Sequence, residues 1–308
     1  SNLVTKYNSK RGLVTINTHG DKIPYYHPNM TKDNSIVYCH FPTAKRLIQR
    51  RDAEYLQNEL NIRTSIGIKI CKAEYSTKIP NKLSEKQSDE TIGIFRLLNR
   101  AYTNLINRST VLTNSEFSRK AILSAFPSSQ IQILSPPVDI EAFREYGLES
   151  NEQKDVILVI SRIDPDKEIE KALSLARILK KRDLGRQMII VGSLTPRNSA
   201  YVRYLEKLIK EWDIMDYVIL KVNTPLEELF KIIRKAKAYF HPKLGEHFGI
   251  SIAESMAAGL APIVPNIGGQ TEFVPQRFHY NSLDEAADII SSSFALSQLE
   301  RRQISNSV

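Results

Sequence analysis

Gly245-Glu246-His247-Phe248-Gly249-Ile250-Ser251-Ile252-Ala253-Glu254 follows directly on an apolar, strand-like run at residues 236–241. Residues 250–258 read as a helix closed by Gly259, at the position where helices often need a left-handed residue. One carboxylate, Glu246, therefore falls in a strand-to-helix loop, and the other, Glu254, about two turns into the helix. The first-turn amides of such a helix have no intrahelical partners and point outward, which makes an anion site. A loop carboxylate, exposed amides and a deeper carboxylate suit a ligand that is part phosphate and part polyol. Nucleotide-sugars are such ligands. Taken singly, each Glu is an ordinary solvated residue; only the combination carries chemistry.

The same pattern extends in both directions. Residues 155–160 form a short apolar run, as expected of a strand buried on both faces of a parallel sheet. It leads into Ser161-Arg162-Ile163-Asp164-Pro165-Asp166-Lys167 and a helical stretch at 168–181. Arg162 and Lys167, five apart across a Pro-containing turn, can converge on one diphosphate. Further strands are predicted at 187–191, 217–222 and 260–264, and helices at 200–212 and 225–235. Strands alternating with helices of this length predict a parallel sheet with crossover helices. In Thr224-Pro225-Leu226-Glu227, Thr224 is the expected N-cap of a capping box, which puts Asn223 in a loop at the carboxyl end of a strand. Ligands of open α/β sheets bind at such ends.

The N-terminal half predicts strands at 13–16, 36–38, 110–112 and 131–134, and helices at 49–60, 94–107 and 115–126. Its informative piece is a strand ending in His40-Phe41-Pro42-Thr43, about two hundred residues before Glu246.

The segment EHFGISIAESMAAGLAPIVPNIGGQTEFV, Glu246 to Val274, resembles the donor-site signature of family 4 glycosyltransferases, retaining enzymes of GT-B fold. The likeness includes both Glu, the Phe-Gly between them, the Met-Ala-Ala-Gly turn, the apolar strand that follows and Gly268-Gly269. It implies an α/β chain of two Rossmann-like parallel-sheet domains facing a cleft, here 1–148 on the acceptor side and 149–308 on the donor side. Carried over, Glu246 contacts sugar hydroxyls and Glu254 holds the ribose. Phe248, Gly249, Ile250 and Ser251 meet sugar and diphosphate, while Arg162 and Lys167 neutralise the leaving diphosphate. Asn223 lies near the base, and His40 faces the donor sugar from the other domain. His40, Glu246, Arg162 and Lys167 are thus the expected catalytic set. No metal and no cofactor beyond the nucleotide-sugar are expected.

The His-Phe-Pro-Thr loop, Pro136-Pro137-Val138-Asp139-Ile140-Glu141-Ala142-Phe143 and Glu246-His247-Phe248-Gly249-Ile250 narrow the resemblance. They are similar to the branch of dolichol-linked-oligosaccharide alpha-mannosyltransferases and their archaeal relatives. That implies GDP-mannose as donor and a saccharide or lipid-linked saccharide as acceptor, with UDP- or ADP-sugars as the alternative donors. There are departures. No glycine-rich loop stands near the start, Pro275 to Tyr280 replace an Asp-Gly stretch, and the last helix is short. The expectation is an N-terminal domain that is incomplete at its start.

Composition fits two globular domains, with 308 residues of which 42% are hydrophobic. Two Cys at positions 39 and 71 form no metal spacing. No run approaches the ~20 apolar residues of a spanning helix, and the expected location is the cytoplasm or the cytoplasmic membrane face. The net charge of +9 is uneven: residues 1–150 hold 21 Lys and Arg against 14 Asp and Glu. The excess gathers between Lys45 and Lys120, and an anionic membrane surface attracts such segments. The polar stretch 76–90 is expected to be a mobile loop. A basic nucleic-acid-binding protein is the rival of another class, though no binding motif or aromatic-interleaved basic stripe accompanies the charge. A non-catalytic nucleotide-sugar-binding protein is the other.

Overall fold

The computed structural model describes residues 15–17, 35–43, 45–46, 96, 99–100, 103–104, 106–148 and 155–308. The chain divides into two compact units, Ser1–Ser135 and Pro136–Val308. The predicted helix at 49–60 and the polar stretch 76–90 lie outside the described residues.

The first unit holds a parallel sheet of β1 (Thr15–Asn17), β2 (Ser35–Tyr38), β3 (Ser109–Thr113) and β4 (Ile131–Ile133), in that spatial order. Helix α1 (Glu116–Ala125) begins at Ser115, whose hydroxyl accepts from the amide of Ser118. Val37, Val111, Ile122 and Phe126 are buried between sheet and helix. Lys45, counted in the basic cluster, is itself buried, with Nζ 2.8 Å from Thr103 Oγ1 and 4.9 Å from the Phe126 ring centroid. Burial holds its pKa down. It is removed from any surface that an anionic membrane would meet.

The second unit opens with α2 (Ile140–Leu148), within the residues the sequence assigns to the first domain. Then β5 (Val156–Ile160), α3 (Ile169–Lys181), β6 (Gln187–Gly192), α4 (Ser199–Glu211), β7 (Val218–Val222) and α5 (Leu226–Ile233) alternate. The pattern continues through β8 (Ala236–Phe240), α6 (Ile250–Ala257), β9 (Ala261–Pro265), β10 (His279–Tyr280), α7 (Leu283–Ser293) and α8 (Gln298–Asn306). The sheet order is β10-β9-β8-β5-β6-β7, parallel throughout. Strand β5 is buried on both faces because its run Val156-Ile157-Leu158-Val159 offers no polar side. Order reverses between β5 and β8, the switch point whose carboxyl-end crevice receives ligands in doubly wound sheets.

Two local expectations are corrected. Helix α5 starts at Leu226 with Pro225 as N-cap, extended at φ −58 and ψ 150, and no side-chain cap bond. The proline's extended ψ delays the helix by one residue, so Thr224 does not cap it. The start of α6 at Ile250 makes Glu254 its fifth residue, a little over one turn in rather than two.

Candidate functional site

The loop after β5 is fixed before any ligand arrives. Ile163 is fully buried and its amide donates to Ser193 O at 2.8 Å. Asn198 Nδ2 reaches Ile163 O at 3.1 Å and Asp164 Oδ2 at 3.0 Å. A Cβ on Gly192 would lie 2.1 Å from Ser161 O, so only glycine lets this loop pass the end of β6. Asp164 Oδ1 accepts from the amide of Asp166 and starts a short 3₁₀ turn, Pro165–Lys167. Glu168 then closes it in the left-handed region at φ 52, ψ 40, a conformation that non-glycine residues keep only where the surroundings over-determine it.

Those surroundings come from the loop after β8. Lys243 Nζ lies 2.5 Å from Asp166 Oδ2, Lys167 Nζ 2.6 Å from Glu246 Oε2, and the amide of Leu244 donates to Glu168 Oε2 at 3.1 Å. Three consecutive residues of one loop thus hold the other. Glu246 is further pinned by its neighbour's amide, His247 N to Oε1 at 3.0 Å, and its carbonyl accepts from Gly269 N at 2.7 Å. Burial alone would raise the Glu246 pKa. His241 and the charge of Lys167 outweigh it and hold the carboxyl well below the usual range, so Glu246 is a half-buried, ionised carboxylate.

The site floor is polar in an otherwise apolar core. His241, 3% exposed, places Nε2 3.5 Å from Glu246 Oε2 and Nδ1 3.3 Å from Tyr239 Oη. Tyr239 Oη lies 2.9 Å from Ser251 Oγ, in the first turn of α6. That helix starts on Gly249, at φ 103, without a side-chain cap, and its first bonds run from Ile252 and Ala253 back to Gly249 O. The amides of Ile250 and Ser251 stay outside the ladder, at the positive end of the helix dipole.

The structure gathers Lys167, Glu246 and Ser251 around the ends of β5 and β8. Arg162, on the same loop as Lys167, is exposed, with NH1 3.9 Å from Asp164 Oδ2. Phe248 packs on Phe273 at 5.3 Å between centroids. Glu254 is partly buried; burial and, after it, the charge of Asp139 push its pKa up. Asn223 is left-handed at φ 53, and its Oδ1 accepts from Leu194 N at 2.8 Å. His40 belongs to the first unit, exposed at the end of β2 with its ring edge-on to Tyr38. The sequence misses Tyr239, His241, Lys243 and Asp166. The signal for two of them is a Tyr and a His set into the predicted strand 236–241, polar groups that a buried strand must satisfy.

The profile of the family described as Glycosyl transferases group 1 matches residues 141–306. The chain belongs to that family. Two relatives share the name GDP-Man:Man(3)GlcNAc(2)-PP-Dol alpha-1,2-mannosyltransferase. The Dictyostelium discoideum protein is 28% identical over 53% of this chain and 35% of its own length. The Homo sapiens protein is 26% identical over 64% of this chain and 43% of its own. A GDP-mannose:cellobiosyl-diphosphopolyprenol alpha-mannosyltransferase of Xanthomonas campestris is 26% identical over 56% of this chain and 44% of that one. The chain therefore spans well under half the length of these relatives. Among solved structures, sucrose-phosphate synthase from Thermosynechococcus elongatus aligns with a TM-score of 0.57 at 18% identity, over 88% of this chain and 67% of that one. Anabaena HepE in complex with UDP aligns at 0.56 and 17% identity, over 96% and 93%. The likeness shows the fold, which is GT-B.

Proposed function

We propose that this group 1 glycosyl transferase moves mannose from GDP-mannose, with retention, onto a saccharide or lipid-linked saccharide. The observation that carries the donor site is the Lys167–Glu246 pair at the switch point, 2.6 Å apart beside the uncapped start of α6. The names of the relatives, each a GDP-mannose-dependent mannosyltransferase, support the choice of sugar and nucleotide.

In this reading the donor diphosphate is held by Arg162, Lys167 and the amides of Gly249, Ile250 and Ser251. The ribose lies on Glu254, the base toward Asn223, and the sugar hydroxyls on Glu246 beside Phe248. His40 serves the sugar from the first unit. Negative charge builds on the diphosphate as the glycosidic bond breaks, and preorganised cations and dipoles stabilise it there. Arg162 and Lys167 take the part of a cation, so the reaction needs no resident metal. The leaving phosphate assists attack of the acceptor hydroxyl from the same face, which preserves configuration. The basic first 150 residues would bring the protein to the anionic cytoplasmic membrane face, where a lipid-linked acceptor resides. Among the described residues no helix is long and apolar enough to cross a membrane.

Calorimetry and thermal shift with GDP, UDP and ADP, and with their mannose and glucose forms, test this. Selective binding of GDP and GDP-mannose is expected. Preference for UDP or ADP would keep the transferase and replace the sugar. Absence of any nucleotide binding would sink the donor site.

A further inference from the structure

We propose that His241 is a positioning residue of the donor site: it takes over Glu246 when Lys167 turns to the diphosphate, and through Tyr239 it ties that carboxylate to Ser251. The inference rests on the donor reading above and adds to it a residue on the floor of the site.

Two groups share one oxygen. Lys167 Nζ and His241 Nε2 lie 2.6 and 3.5 Å from Glu246 Oε2. A diphosphate that draws on the ammonium leaves a half-buried carboxylate short of its counter-charge, and a buried charge without a partner is costly. Among the described residues, His241 is the other side chain within reach of that oxygen. Its Nε2 is buried and has no closer hydrogen-bond partner, and a buried polar atom of that kind needs a reason. Closing the gap to an ordinary charge-assisted bond of about 2.8 Å takes less than 1 Å of movement.

The rest of the floor sets which way the ring can act. Tyr239 Oη has one proton and three acceptors within reach, Ser251 Oγ at 2.9 Å and Ile160 O and His241 Nδ1 at 3.3 Å. If the proton goes to Ser251 Oγ or Ile160 O, Nδ1 carries the ring hydrogen and Nε2 turns a lone pair toward Glu246. If it goes to Nδ1, the ring hydrogen sits on Nε2 and is aimed at Glu246. Ser251, 2.9 Å from Tyr239 Oη, is placed to bias that choice, and its amide belongs to the helix start that meets the diphosphate. Filling the phosphate end thereby fixes the carboxylate at the sugar end.

The charges around the ring act in the same sense. Burial lowers the His241 pKa, Glu246 raises it, and Lys167 and Lys243 lower it; Tyr239 is the hydroxyl on the ring, whereas Tyr280 Oη meets only the His241 carbonyl at 2.9 Å. Screening of Lys167 by the diphosphate removes one opposing charge, so the ring gains basicity and takes up protons as the nucleotide binds.

The test is calorimetry of the 308-residue chain with GDP and GDP-mannose in two buffers of different ionisation enthalpy. UDP and UDP-glucose, run in the same way, cover a preference for uridine nucleotides. The wild type is expected to take up protons on binding in buffers below the ordinary histidine range, since burial holds the His241 pKa down. His241→Ala is expected to lose about tenfold in affinity for the nucleotide-sugar. His241→Gln, which returns a donor at Nε2, recovers to within about threefold but shows no proton uptake. Tyr239→Phe keeps the ring and weakens nucleotide-sugar binding by less. Wild-type affinity and proton uptake in His241→Gln and Tyr239→Phe would overturn the proposal, and those two variants decide it if His241→Ala does not fold. A wild-type chain that binds none of these ligands would instead overturn the donor reading, and this inference with it.

Discussion

Helix α6 is finished at one end and open at the other. At its C-terminus Gly259 is left-handed at φ 72, and Arg301, almost fully buried in α8, donates from NH1 to Gly259 O at 3.1 Å. Ser305 Oγ donates to Ala257 O at 2.6 Å, so carbonyls that a helix end leaves orphaned are met by side chains. Helix α2 closes in so tightly that a Cβ on Gly147 would lie 2.3 Å from Ala258 O. At the N-terminus there is a glycine, no side-chain cap, and Ile250 is 47% exposed. Gly249 holds a conformation that side chains rarely adopt, and a Cβ there would lie 2.5 Å from Ile252 Cδ1, so a capping Ser or Asp does not fit. The helix leaves its first amides without a side-chain cap where a ligand can supply one, and takes the full set of contacts where none is expected. The difference teaches where to look for loss of binding and where for loss of folding.

Substitutions near the open end should therefore cost activity more than stability. Arg162→Ala is expected to lower turnover with GDP-mannose by about 10²- to 10³-fold while the melting temperature holds, since the side chain is exposed. Lys167→Ala should lose as much turnover and also about 3 kcal/mol of stability, because Glu246 stays half-buried without its cation. A Lys167→Ala protein that melts like wild type would break the account of the pair. At the closed end the order inverts. Gly147→Leu should cost about 3 kcal/mol by forcing α2 off α6. Arg301→Met should cost about 2 kcal/mol by stranding Gly259 O and Lys237 O. Chemical denaturation reads both, and nucleotide affinity measured well below the melting point should stay near wild type.

Two smaller effects sharpen the contrast. Glu254 carries a raised pKa, so its stabilising contribution is present at low pH and lost as pH rises. Glu254→Gln should raise the melting temperature by a degree or two at pH 8 and weaken GDP binding about tenfold. His247 is held down to about 4 by burial first, with Lys243 and Lys167 adding to it against Glu246 and Asp166. A depressed pKa gives stability that is present above the unfolded value of about 6.5 and lost toward pH 4. His247→Asn should flatten the fall in melting temperature over that interval.

The alternation of strands and helices was legible because β5 and β9 are apolar on both faces and the helices between them repeat every three or four residues. Glu246, Arg162 and Lys167 stood out only in combination, since each alone reads as a solvated loop charge. What stayed hidden was relational. The contact of Lys167 with Glu246 spans 79 residues, and nothing local announces it. Lys243 and Asp166 look like solvated charges until the two loops meet. Helix α7 escaped notice, and α8, expected only as a short last helix, carries in Ser297 and Glu300 the capping box that the sequence places at Thr224. The delay at Pro225 comes from one dihedral angle, which residue type alone does not set.

The bonds from Asp166, Lys167 and Glu168 to Lys243, Glu246 and Leu244 cross 77, 79 and 76 residues of chain. They form a clasp that no fragment of the sheet can close, because β6, β7 and β8 must all be in register first. Contacts so distant in sequence form late. On the proposed donor site, a nucleotide would recognise only the assembled domain, and the protection it confers against heat or protease would count directly the molecules that have completed the fold.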